Sequence, residues 1–140
     1  MAASLRVAAI AVALFCICNG LGCYAKAYAG GREESLVSLL CNRQEWPGKE
    51  SPFAYSLFYV LKHIIQDTPE NGFDYYVESS YTTGSVCGHG VCEPELSKEQ
   101  CRDCLFLAVS GPSNCAVTPI GAQVELTDCR LRYENYDFTE

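Results

Sequence analysis

Residues 92–104 read CEPELSKEQCRDC, three cysteines spaced C-x8-C-x2-C around a serine. Zinc ligation, thiol redox chemistry and a disulfide framework all use cysteines this close together. Zinc needs four ligands. Cys101 and Cys104 form one tight pair, and Cys92, Cys115 or His89 would have to complete the set without a second such pair. A thioredoxin-like C-x-x-C follows a strand in a βαβ unit. Here Ser97 instead opens a helix only four residues before Cys101. Ser97-Lys98-Glu99-Gln100 matches a capping box, with Gln100 reaching back to the cap. The disulfide reading is therefore favoured over the other two. On that helix Cys101, Cys104, Leu105 and Ala108 share one face, so two cysteines look inward beside core residues.

The start of the chain supports an oxidising compartment. In MAASLRVAAIAVALFCICNG the only charge is Arg6, and an apolar run extends from Val7 to about Cys18. LGCYAKAYAGG follows, with A-x-A spacing at Ala25-Ala27 and Ala27-Ala29. A short positive region, an apolar region and a small-residue site together make a secretory signal peptide. The run is too short for a spanning helix, which needs about 20 residues. The expected division is a signal peptide over 1–29, cleaved after Ala27 or Ala29, and one cysteine-rich domain over 30–140. Loss of Arg6 and Lys26 takes the net charge from −7 to −9. Such a chain is repelled by nucleic acid and by anionic membrane surfaces. Of ten cysteines, Cys16, Cys18 and Cys23 leave with the leader. Cys41, Cys87, Cys92, Cys101, Cys104, Cys115 and Cys129 remain in a secreted product, where disulfides form and persist. About 110 residues suffice for one small domain and not two.

Outward from the cysteine cluster, residues 35–41 form a short apolar strand. Ser51-Pro52 starts a helix, because Ser caps and Pro is tolerated at the first helical position. Ala54, Leu57, Phe58, Leu61, Ile64 and Ile65 give it an apolar face at three- and four-residue spacing. Asp67-Thr68-Pro69 ends it. Residues 72–82 read as an aromatic strand broken by Gly84-Ser85. Residues 86–93 read as a second strand, whose glycines imply a bulge or a close backbone approach. Gly111-Pro112 ends the second helix, and 123–128 and LRYENY form two further antiparallel strands. The order β, α, β, β, α, β, β predicts an α+β domain: two helices packed on one antiparallel sheet of about five strands, stapled by disulfides.

With these residues in hand, the chain resembles the ginkbilobin-type domain of plants, also called the salt-stress-response/antifungal or cysteine-rich repeat secretory domain. C-x8-C-x2-C, Cys41-Asn42, Ser51 to Phe53, Tyr75-Tyr76 and IGAQVELTDCRLRYE over 120–134 carry the resemblance. The family's pairing implies the bridges Cys41–Cys115, Cys92–Cys101 and Cys104–Cys129. Cys87 is left unpaired, as an inert buried thiol, a link to a second copy or a partner in some other pairing. Family members that bind mannose do so through an Asn, an Arg and a Glu. The resemblance places these at Asn42, at Gln123 after the I-G-A triplet, and at Glu134. Gln123 departs from the pattern. Its amide still donates to a sugar hydroxyl, but without the charge assistance of a guanidinium, so weaker binding is expected.

The resemblance implies a single-domain, secreted, apoplastic defence protein that binds mannose or fungal mannan and opposes fungi. The alternative is a protein-binding module of the apoplast with a degenerate sugar site. Asn42 then merely caps a turn, and Gln123 and Glu134 are ordinary strand-surface positions. No enzyme activity, cofactor or metal is expected. His63 and His89 are the only histidines, and no G-x-S-x-G elbow accompanies them.

Overall fold

The computed structural model describes residues 15–19, 22–29, 32–81 and 84–140. The charged start of the expected leader, most of its apolar run, and Thr82 lie outside the described residues. The later part of residues 1–29 forms backbone pairings. β1 (Phe15–Asn19) runs antiparallel to β2 (Gly22–Ala29), which pairs in turn with β3 (Arg32–Glu34).

The domain is built on five antiparallel strands in the order β4-β7-β8-β6-β5. These are β4 (Leu36–Cys41), β5 (Asp74–Tyr81), β6 (Gly84–Cys92), β7 (Ala122–Leu126) and β8 (Cys129–Glu134). Helices α1 (Pro52–Asp67) and α2 (Lys98–Ala108) supply the second layer. This is the α+β architecture read from the order of elements. The caps sit where the sequence puts them. The Ser51 hydroxyl accepts from the Ala54 N–H at 3.2 Å, and Ser97 and Gln100 complete a reciprocal capping box.

Two local expectations are corrected. Gly84 and Ser85 do not break a strand; they begin β6 and pair with Tyr81 and Ser80. Phe58 is 71% exposed rather than part of the buried face of α1. Phe53, Leu57, Val60 and Ile64 make that face. Their 4-3-4 spacing follows one stripe of a 3.6-residue helix, and Phe58 lies about 100° around from Leu57.

The expected glycine feature on β6 is close approach and not a bulge. The β5–β6 register is continuous, and the one irregularity in the sheet lies between Leu36 and Ser38 of the β4–β7 pair. A Cβ at Gly88 would collide with Val60 and Ile64, and one at Gly90 with Ile64 and Thr68. The two glycines let α1 sit directly on the strand.

The bridges Cys41–Cys115, Cys92–Cys101 and Cys104–Cys129 are all formed, enclosing sequence separations of 74, 9 and 25. Two of them hold α2, one to β6 and one to β8. Cys101 and Cys104 are fully buried beside Leu105, Ala108, Val124 and Leu131. The three clustered thiols are staples that fasten a short helix to a sheet.

Candidate functional site

Alternation along β7 and β8 sorts the residues by face. Ala122 pairs with Tyr133 and Val124 with Leu131, all buried beneath the helices. Gln123 pairs with Arg132 on the opposite face, and Glu134 lies two residues beyond Arg132 on the same side. Asn42 follows β4 directly, next to the Cys41–Cys115 bridge, and its N–H donates to the Gly121 carbonyl at 2.8 Å.

These elements bring Asn42, Gln123 and Glu134 to one open pocket of about 270 Å³, with Arg132 and Tyr136 also in its wall. A larger groove of about 510 Å³ lies between the two helices and the 115–119 segment. Leu57, Leu61, Val109 and Val117 dominate it, and it gathers no comparable polar set. The smaller pocket is the better candidate, because a binding site needs a few convergent polar groups.

Each side chain in the pocket has a definable hydrogen-bonding capacity. The Asn42 Oδ1 accepts from the Gln44 N–H at 2.9 Å, so Asn42 does cap a turn. That contact fixes the amide and leaves its NH₂, with two donors, unpaired among the described residues. Glu134 is 9% exposed. One of its oxygens accepts from Arg132 Nε at 3.3 Å; the other, Oε2, is buried with no partner among the described residues. A buried carboxylate oxygen left without a donor is costly. Gly121 lets it in, since a Cβ at that position would collide with Oε2.

Arg132 was not anticipated. Its Nη1 donates to Glu140 at 3.0 Å and its Nη2 to the Tyr136 hydroxyl at 3.5 Å, while its guanidinium lies 4.2 Å over the Phe138 ring. Burial works against its charge, but the bonds to Glu140, Tyr136 and Glu134 outweigh that and raise its pKa above the ordinary value. Burial pushes the Tyr133 phenol up to about 12, with the Glu134 carboxylate adding to it. The usable signal for Arg132 was the period-two run CRLRYE, which puts Arg130, Arg132 and Glu134 on one face.

The other singled-out residues fall elsewhere. His63 is half-buried on α1, paired with Asp67 at 2.7 Å. His89 is buried on β6, with Asp74 at 2.7 Å from Nε2, Glu140 at 3.0 Å from Nδ1, and the Tyr76 ring stacked at 3.7 Å. Carboxylates occupy both ring nitrogens, so neither is placed against a hydroxyl nucleophile. Cys87 is free and 8% exposed, paired in register with Glu78 and Glu134. Burial first, then Glu78 and Asp137, push its thiol pKa up, which makes a poor nucleophile. Among the described residues no group of three or more His, Cys, Asp or Glu is arranged to hold a metal ion, and no helix is long and apolar enough to cross a membrane.

Comparison with known proteins agrees with this architecture. Residues 40–136 match the salt stress response/antifungal family. The chain is 34% identical over 110 residues to antifungal protein ginkbilobin-like protein 2 of Picea glauca, covering 77% of this chain and 82% of that protein. It is 32% identical over 106 residues to antifungal protein ginkbilobin-2 of Ginkgo biloba, covering 74% and 78%. Among solved structures, the tandem DUF26 ectodomains of the Arabidopsis thaliana cysteine-rich receptor-like proteins PDLP5 and PDLP8 each superpose with a TM-score of 0.65, at 18% and 21% identity. Each alignment covers 74% of this chain but only 52% and 50% of those ectodomains, so the likeness is to about half of each and concerns the fold. With the family model matched over residues 40–136 and relatives at 32–34% identity across three quarters of its length, the chain belongs to the ginkbilobin-type salt stress response/antifungal family.

Proposed function

We propose that this protein is a secreted defence lectin whose pocket at the β4–β7–β8 end binds a hexose of the mannose type, as displayed on fungal cell-wall mannan. The observation that carries this reading is the convergence in one pocket of the amides of Asn42 and Gln123 with the Glu134 carboxylate, whose Oε2 has no partner among the described residues. A sugar hydroxyl donates a proton and accepts one at the same oxygen. It therefore satisfies a carboxylate on one side while taking a hydrogen bond from an amide N–H on the other. The antifungal names of the relatives from Picea and Ginkgo fit such a target. The leader over 1–29 and the disulfide framework support release outside the cell. An acidic chain is unsuited to cationic disruption of membranes, so any effect on fungi runs through recognition.

Calorimetric titration of the oxidised protein lacking residues 1–29 with mannose and with soluble mannan tests the reading. Binding that is lost in Asn42→Ala is the expected result. Heat of binding absent for both ligands overturns it.

A second reading rests on β4, an edge strand whose Leu36, Val37 and Leu40 are 53%, 62% and 59% exposed. An apolar sheet edge is a template for another polypeptide. The same titration separates the two, since a protein-binding edge gives no heat with sugar.

A further inference from the structure

The resemblance assigns the site's cation to position 123, where this chain has glutamine. The structure places another cation in the same pocket. Gln123 on β7 lies directly opposite Arg132 on β8, and both line the cavity with Asn42 and Glu134. We infer that Arg132 is the sugar-contacting, specificity-determining cation of this site, so that the charge has moved across one strand pair and the site is not degenerate. This rests on the sugar-binding reading above.

A guanidinium has five N–H donors in a planar fork. Three are engaged: Nε with Glu134, one on Nη1 with Glu140 and one on Nη2 with Tyr136. One donor remains on each terminal nitrogen, at the side of a carboxylate that lacks a donor at Oε2. A guanidinium and a carboxylate side by side suit two adjacent sugar hydroxyls, one accepting from Arg132 and the other donating to Glu134. The Arg132 side chain is only 22% exposed, and the Phe138 ring and the Glu140 carboxylate brace it. Little side-chain freedom is therefore left to lose on binding. Gln123 completes the set as a neutral amide. An arginine there would set two like charges directly opposite each other, which is unfavourable.

The test compares wild type, Arg132→Gln, Gln123→Arg and the double exchange Gln123→Arg/Arg132→Gln. Each is titrated with methyl mannoside and with a panel of its monodeoxy analogues, and each is checked for folding by circular dichroism. Hydrogen bonds to charged groups lead to an expected loss of roughly tenfold or more in Arg132→Gln. No tightening is expected in Gln123→Arg alone, and recovery is expected in the double exchange. With the one analogue that lacks the contacted hydroxyl, wild type and Arg132→Gln should bind alike, a coupling that a merely structural arginine does not show.

Wild-type affinity in Arg132→Gln overturns the inference and leaves the sugar reading standing. So does an equal loss across the whole deoxy panel, or a tightening in Gln123→Arg alone. Failure of the wild type to bind the mannoside overturns the sugar reading and this inference with it.

Discussion

The two faces of the five-stranded sheet are made from alternate residues of the same strands, yet they are different chemistry. Toward the helices, Ala122, Val124, Leu131 and Tyr133 pack with the small surfaces of Gly88 and Gly90 against α1 and α2. On the other face one row crosses the whole sheet: Leu40, Gln123, Arg132, His89 and Tyr76, each paired in register with the next. Glu140 joins the middle of that row to its surroundings, touching Arg130, Arg132 and His89. The first face holds the domain together by buried area and bridges. The second is a network of charged groups with donors and an acceptor to spare. The packed core and the candidate site are thus divided between sides of one sheet, and period-two alternation is what allows the division.

The comparison breaks most clearly at two neighbours. Leu131 is fully buried, while the next residue back, Arg130, points to the polar face and pairs with Glu140 at 2.8 Å with its side chain 37% exposed. Leu131→Ala should cost about 2–5 kcal/mol in denaturant unfolding, and Arg130→Ala less than about 1 kcal/mol. Similar costs for the two would mean that the faces do not divide the work. Gly88→Ala is the next largest effect. The added methyl meets Val60 and Ile64, and overpacking of this kind costs about 1–3 kcal/mol. Unchanged stability would show that α1 shifts freely and is not seated by the glycines.

A further effect is one of pH, at the end of the sheet. Glu34 on β3 is buried beside Asp128, whose N–H donates to it at 3.3 Å while Arg32 pairs with the Asp128 carboxylate at 2.8 Å. Burial first, and then Asp128, push the Glu34 carboxyl up to about 7. The folded protein thus holds this proton more tightly than the unfolded chain does. The contribution is complete below the ordinary glutamate value of 4.5 and is lost as pH rises through about 7. Melting temperatures across that window should fall for wild type relative to Glu34→Gln, and parallel curves would remove Glu34 as the source. Glu140 on the polar face has the opposite sign. Burial alone would raise it, but Arg132, His89 and Arg130 outweigh that and hold it below the usual range. Its contribution is present above the ordinary glutamate value and is lost only on acidification below it.

Much of the fold was legible because its signals are local. Ser51-Pro52 and Ser97 to Gln100 cap through atoms within four residues, and the face of α2 bearing Cys101, Cys104, Leu105 and Ala108 follows from helical spacing alone. Phe58 was misplaced because two stripes of α1 are apolar and only the position of the sheet selects between them. Gly84 was misread as a breaker because its conformation is ordinary extended strand. Its small size is what matters, since a Cβ there would strike the backbone of Pro52 and Phe53 across the fold. The candidate site was legible at Asn42, Gln123 and Glu134 through resemblance. Arg132 was not, although its place on the Glu134 face follows from alternation.

The sequence by itself determined the helices, the alternation of the strands and the chemistry of the cysteines, because caps, periodicity and composition act within a few residues. The tertiary structure alone decided that Asn42 would join Gln123 and Glu134 in one pocket, that Gly121 would make room for Glu134, and that Oε2 would be buried without a partner among the described residues. Those outcomes depend on register between strands distant from β4 in the chain and on which atoms exclude water there, quantities that exist only once the sheet has closed.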